Sequence, residues 1–366
     1  MITITNQAIE TTTSKYAINA LEKKCFFKLV CGASLTDTQM IENLSFIFTL
    51  AGAHVIDLAP SADVIFAARR GIEKALSYLE KQRHEARNTN HEEQISFLLP
   101  ASCFLPRPPL LMASIQLDKD PHFRKAQVNY DSCDLCSACV QICPTEAFKI
   151  EDNKFIYSVE KCFGCGICPS YCHVSALSML DTNPTPIETF QEMVLLGVEA
   201  VEFHFGENFH RLEEIWDQIN NLRNKSMLFS FSIGSGLLSD KQIKNAANLC
   251  FKLAGKGIIL QCDGTPMSGG NNKNGNNKDN PSLQVAKLIE EENLPVYLQI
   301  SGGTNENSFA KAKEAKININ GVAIGSYARK LLMPYLSDLN DKVKFKDAAN
   351  IARSLVNSVG NCEVTS

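Results

Sequence analysis

The chain has 366 residues, 45% hydrophobic and 21% charged, with a net charge of −4. This composition builds a sizeable core and argues against a fold that binds nucleic acid through overall basic charge. The length predicts two or three domains, or one large α/β barrel carrying an insert.

The polar N-terminal segment, 1–24, has no basic region followed by an apolar run, and it is not Arg-rich, so no targeting signal is read there. A strand is expected at 27–33 (FKLVCGA) and a helix at 37–51, where Met40, Ile41, Leu44, Ile47 and Phe48 fall at helical period. A second strand follows at 54–59 (HVIDLA). The long apolar stretch leading into it is broken by His54 and Asp57 and is too short and polar to span a bilayer. A helix is expected over 63–82, then a polar, solvated loop over 80–94, then a strand at 109–115 (PLLMASI).

Next comes a cysteine-rich block. Fourteen cysteines without a secretory signal point to a reducing compartment, the cytoplasm, and to metal binding rather than disulfides. Cys133, Cys136, Cys139 and Cys143 are spaced C-x2-C-x2-C-x3-C and followed by Pro144; Cys162, Cys165, Cys168 and Cys172 repeat the spacing. Cysteine pairs two residues apart also bind structural zinc. Two matched runs of four are far more specific for iron–sulfur clusters, since thiolates every third residue wrap a loop around an iron–sulfide cube. Gly164 and Gly166 would let the backbone approach inorganic sulfur.

Residues 125–180 resemble the bacterial two-cluster ferredoxin fold. The resemblance implies crossed ligation, three cysteines of one run being completed by the fourth of the other. Cys133, Cys136, Cys139 and Cys172 would then hold one cluster, and Cys162, Cys165, Cys168 and Cys143 the second. One departure stands out: Cys172 is followed by His173 instead of proline, while Pro169 lies inside the loop. This points to a labile Cys172-linked cluster, or to a three-iron form (3Fe-4S) in place of 4Fe-4S. Cys25, Cys31, Cys103, Cys250, Cys262 and Cys362 read mainly as small hydrophobes.

Beyond the block, strands are expected at 200–205, 227–233, 257–263, 296–301 and 321–326. Helices are expected at 185–196, 212–222, 240–254, 282–292, 308–315 and from 327 toward 359. Eight largely apolar strands alternating with helices predict a (β/α)8, TIM-barrel-like domain with an inserted two-cluster ferredoxin-like α+β domain. An open doubly wound sheet is the rival. The divisions are 1–24, the first barrel part 25–117, the insert 118–182, the second barrel part 183–340 and a C-terminal helix and tail 341–366. The insert occupies the third βα connection, so the clusters would hang over the barrel's C-terminal mouth. The asparagine-rich stretch 269–281 reads as a flexible loop at the same face.

Polar and glycine residues end the strands: Gly32, Asp57, Asp263, Gly302, Gly303, Thr304, Gly325 and Ser326. The clusters after strands seven and eight fit a phosphate cradle for FMN or a sugar phosphate. Equally, their glycines make tight turns without any ligand. Asp57 and Asp263 could orient a ligand, act as acid or base, or cap helices. His204 reads as structural rather than as a base, and Trp216 has no evident partner. No catalytic triad, nucleophile elbow or Walker loop is present in the sequence.

The motifs KLVCGAS, TLAGAHVIDLA, DPHFRKA, CFGCG, VEFH, QCDGTPMSG, QISGGTN and GVAIGSYAR together resemble the cyanobacterial light-dependent period family, LdpA, over about 25–340. The resemblance implies an iron–sulfur protein that reports redox state, and so light, to the circadian clock. It also implies clock partners such as KaiA and CikA and exchange with an electron carrier or the quinone pool, and it transfers no catalytic residue. Three functions are weighed: a redox-sensing regulator, an oxidoreductase fed by the clusters, and a module whose clusters only stabilise the insert.

Overall fold

The structure, a computed structural model, describes residues 6–89, 107–183, 185–206, 208–234, 236, 238–264 and 281–360. Strands β1 (Phe26–Gly32), β2 (Val55–Leu58) and β3 (Leu110–Gln116) precede the cysteine-rich block. The block contributes β4 (Lys125–Val128), β5 (Phe148–Glu151), β6 (Lys154–Tyr157) and β7 (Leu177–Leu180). Then come β8 (Ala200–His204), β9 (Leu228–Gly234), β10 (Ile259–Asp263), β11 (Tyr297–Ser301) and β12 (Gly321–Ile324).

The eight strands outside the block close into a parallel barrel, ordered β1-β12-β11-β10-β9-β8-β3-β2. Pairing of Phe26 with Gly321 and Leu29 with Ile324 joins first strand to last, which rules out the open sheet. Gly321 is needed there, because a Cβ would fall 2.5 Å from the Phe26 carbonyl oxygen.

Alternation along each strand sorts the side chains. Phe27, Leu29, Ile56, Leu111, Phe203, Phe231, Leu260 and Ile300 point outward into one large core shared with the helices. Phe26, Val55, Leu110, Met112, Ala200, Leu228 and Ile259 form a separate apolar cluster inside the barrel. Helix Asn6–Glu22 belongs to that cluster through Ala17, Ala20 and Leu21. The N-terminal segment, read as polar, therefore plugs the barrel floor.

Local signals set the helices. Helix Thr38–Ala51 starts at Asp37, whose carboxylate accepts from the Met40 N–H at 3.0 Å, and ends on Gly52 in the left-handed region. Helix Asp240–Ala254 begins with a Ser239–Gln242 capping box. Helix Ala62–Thr89 runs seven residues beyond its expected end at 82, into what the sequence presented as a loop. The expected final helical region is two helices, Ser326–Leu336 and Lys342–Asn357. The expected loop at 269–281 lies almost entirely outside the described residues. Trp216 does have partners, packing edge-on to Phe229 and tilted against Phe231.

Candidate functional site

The cysteine-rich block is a pseudo-symmetric pair of half-units. Antiparallel β4 and β7 join its two ends, and β5 and β6 form a hairpin between the cysteine runs. Cys133, Cys136, Cys139 and Cys172 line one small apolar cavity. Cys143 lies instead among Cys162, Cys165 and Cys168, as the mutual electrostatic influence of these thiols shows. None of the eight is in a disulfide; Cys25, outside the block, is disulfide-bonded rather than free.

The thiols fit an iron centre by their chemistry. Burial, then the neighbouring Cys165, Cys162 and Cys143, pushes Cys168 up to about 12. Burial does the same to Cys139, helped by Cys133 and Cys136, up to about 11. Four thiolates crowded this way need a compensating cation. Backbone N–H groups are already aimed at sulfur: Ala147 at Cys143 (3.3 Å), Ala176 at Cys172 (3.1 Å) and Ala126 at Cys162 (3.5 Å). Such donors stabilise charge on sulfur and tune the potential of a cluster.

Gly164 and Gly166, both at positive φ, have a reason the sequence did not disclose. A Cβ on Gly164 would fall 2.1 Å from the Arg124 carbonyl oxygen, and one on Gly166 2.5 Å from its guanidinium. His173, where proline was expected, reaches across to Asp134 of the other run at 2.8 Å. That contact ties the two runs together beside the quartet that contains the exposed Cys136.

The Cys143-containing quartet faces the barrel. Lys125 donates to the carbonyls of Ser34, Val159 and Cys162, and the Thr36 N–H donates to the Glu160 carbonyl at 3.0 Å. Phe163, between two cysteines of the second run, is buried in the wall of the mouth.

All eight mouth residues named from the sequence, Gly32, Asp57, Asp263, Gly302, Gly303, Thr304, Gly325 and Ser326, line a single cavity of about 80 Å³. The volume is several-fold below the ~300 Å³ at which small-molecule pockets begin. Part of the glycine signature is turn chemistry: a Cβ on Gly302 would lie 2.7 Å from the Gly264 nitrogen, and the Thr304 hydroxyl is spent on the Ala323 carbonyl.

Beneath this cavity runs a buried polar network that sequence reasoning missed. Lys28 pairs with Glu202 and lies 3.9 Å from Asp57. Glu202 also accepts from Ser230 (2.6 Å) and Gln261 (2.8 Å). Gln299 donates to Gln261 at 2.7 Å, Ser114 to Asp57 at 2.9 Å, and Ser232 to Asp263. Burial outweighs Lys28 and pushes Asp57 up to about 6, whereas Lys28 and His204 overcome burial to hold Glu202 well below the carboxylate range. A signal was available: Lys28, Glu202, Gln261 and Gln299 each interrupt an apolar strand on its inward face.

Comparison with known proteins bears on this site. Residues 193–363 match the family model of the Light dependent period A C-terminal domain, and 126–149 that of the 4Fe-4S binding domain. A curated relative from Synechococcus elongatus, Light dependent period A, is 25% identical over 92% of this chain and 89% of its own. Among solved structures, a chain of the Pyrococcus furiosus tryptophan synthase complex is similar at TM-score 0.42 and 11% identity, covering 92% of this chain and 98% of that one. The Legionella pneumophila tryptophan synthase α-subunit is similar at TM-score 0.44 and 9% identity, with 96% and 98% covered. The C-terminal domain match, the 4Fe-4S segment and a relative aligned along most of its length together make the chain similar to the light dependent period A proteins.

Proposed function

We propose that the protein is a redox-sensing regulator carrying two 4Fe-4S clusters. Cys133, Cys136, Cys139 and Cys172 hold the outer one; Cys162, Cys165, Cys168 and Cys143 hold the one against the barrel. The observation that carries the reading is the division of the eight thiols into two crossed groups, one beside solvent and one beside the barrel wall. The outer cluster exchanges electrons with a soluble carrier or the quinone pool. Tyr130 and Tyr171, each more than half exposed, stand near it. The inner cluster passes its change of charge to the barrel through Phe163 and its neighbours, and the barrel relays it to clock components of the KaiA and CikA kind. The relative's name, Light dependent period A, supports a role in light-dependent timing.

The test is anaerobic purification with iron and sulfide analysis and an EPR-monitored redox titration. Cys143→Ser is expected to alter the cluster otherwise held by the second run, and Cys172→Ser the one held by the first. Zinc in place of iron, or spectra in which each variant disturbs its own run, would overturn the assignment. Partner binding that is identical in the oxidised and reduced states would overturn the sensing role.

A further inference from the structure

Three residues that the cluster reading leaves unused meet where the cysteine-rich block joins the barrel. Asp120 and His122 stand at the block's first turn, and His204 ends β8. One ligand atom from each lies within 4.8 Å of the others. His204 is only 4% exposed, and with His122 it lines the mouth cavity. Its Nε2 lies 3.4 Å from Glu202 and its Nδ1 4.0 Å from Asp120, yet neither ring nitrogen makes a hydrogen bond of proper geometry. Leaving buried polar atoms unpaired costs roughly 1–3 kcal/mol each, so such an atom calls for an explanation.

Charge gives a second, separate argument. Four carboxylates, Asp57, Asp120, Glu202 and Asp263, stand at or beneath this mouth, and all four are buried. Lys28 and Arg329 are the buried lysine and arginine beside them. The carboxylates outnumber these two cations, and the imidazoles of His122 and His204 stand among them. Carboxylates crowded in this way attract positive charge, whether as protons on the imidazoles or as a metal ion in their place.

We propose that His122, His204 and Asp120 hold a divalent transition-metal ion of the zinc and ferrous class, bridging the cysteine-rich block to the barrel. Two imidazoles and a carboxylate are a fitting donor set for these ions. A tetrahedral ion spaces its donors ~3.4 Å apart, and the Asp120 carboxylate lies on either side of that value, 2.6 Å from His122 Nδ1, with which it pairs directly, and 4.0 Å from His204 Nδ1. Glu202, behind His204 Nε2, stands where carboxylates commonly orient a metal-bound imidazole. The cavity leaves the ion an open side, with room for water or a small oxygen ligand. The donors are nitrogen and oxygen, so the site is chemically distinct from the thiol quartets.

The experiment uses full-length, cluster-loaded protein, freed of loosely held metal by a chelator and titrated anaerobically with Co²⁺ at neutral pH. One equivalent is expected to bind with ligand-field absorption and no sulfur-to-cobalt charge transfer; charge transfer alone would place the ion on vacant cysteines and overturn the proposal. His204→Gln and His122→Gln are each expected to weaken binding by roughly tenfold or more while cluster absorption is unchanged. His122 is a quarter exposed, so its replacement tests the site even if the His204 variant fails to fold. No uptake by the unaltered protein, or equal uptake by His122→Gln, would also overturn it. Cluster content is read on the same sample, so failure of this site and failure of the redox reading are distinguished.

Discussion

The guanidinium of Arg329 lies 4.8 Å from the centre of the Phe163 ring, stacking a barrel helix on the second cysteine loop. The same guanidinium donates to the carbonyls of Val30 (2.6 Å) and Cys31 (2.8 Å), and Cys165 influences its ionisation. It is thus a buried positive charge beside the inner quartet. Reduction adds negative charge to a cluster, so a nearby cation raises its potential. Arg329→Gln is expected to make the inner cluster harder to reduce, by on the order of tens of millivolts, and to leave the outer one unchanged. An EPR-monitored titration resolving both clusters checks this. Equal shifts in both would show a general loosening instead.

Gly164→Ala is expected to damage the inner cluster without touching a ligand. The added Cβ meets the Arg124 carbonyl at 2.1 Å from a backbone at φ +72°. The loop must move, at a cost of about 1–3 kcal/mol. Iron content per chain and the rate of cluster loss in air are the measurements. A cluster as durable as the unaltered one would contradict this account of the glycine.

Lys28→Met strands Glu202 as an unpaired charge inside the barrel. Removing one partner of a buried pair costs about 3–5 kcal/mol. The double change Lys28→Met with Glu202→Gln removes both charges and is expected to recover much of that loss. Denaturant unfolding of the unaltered protein and the two variants gives the comparison. A double variant no better than the single one would mean that Lys28 acts mainly through packing.

Asp57 supplies a pH dependence. Its folded pKa is raised, from 3.8 to about 6, chiefly by burial. Between those values the folded state binds more protons than the unfolded state, so Asp57 removes stability as pH rises from about 4 to about 6 and has no further effect above that. Asp57→Asn is expected to flatten this part of the stability–pH curve. Unfolding midpoints across that interval test it, and an unchanged slope would assign the dependence elsewhere.

The barrel was legible because each strand carries a run of apolar residues flanked by turn chemistry, and those runs survive as β1 to β3 and β8 to β12. The cysteine spacing, too, speaks for itself. What stayed hidden depends on contacts distant in sequence. Lys28 looks like a blemish in FKLVCG until Glu202, 174 residues on, is brought against it. The floor helix hid because the residues it is seen to bury, Ala17, Ala20 and Leu21, are few and mostly small. The extension of helix Ala62–Thr89 hid because charged residues suit an exposed helix as well as a loop. Gly166 was legible as a glycine with a purpose, but the obstacle is the Arg124 side chain, 42 positions earlier in the chain.

The pairing of Lys125 with Leu180 has a bearing on how the molecule is made. During synthesis three barrel strands emerge first, then the cysteines, then five more strands. The ring cannot shut until β12 reaches β1, but both strands of the β4–β7 ladder have left the ribosome by then, and they pair only with each other. Iron delivery can therefore begin on a nascent chain whose barrel is still an open, incomplete sheet. The inner quartet, later shielded by the mouth, is at that moment as accessible to a donor of iron as the outer one.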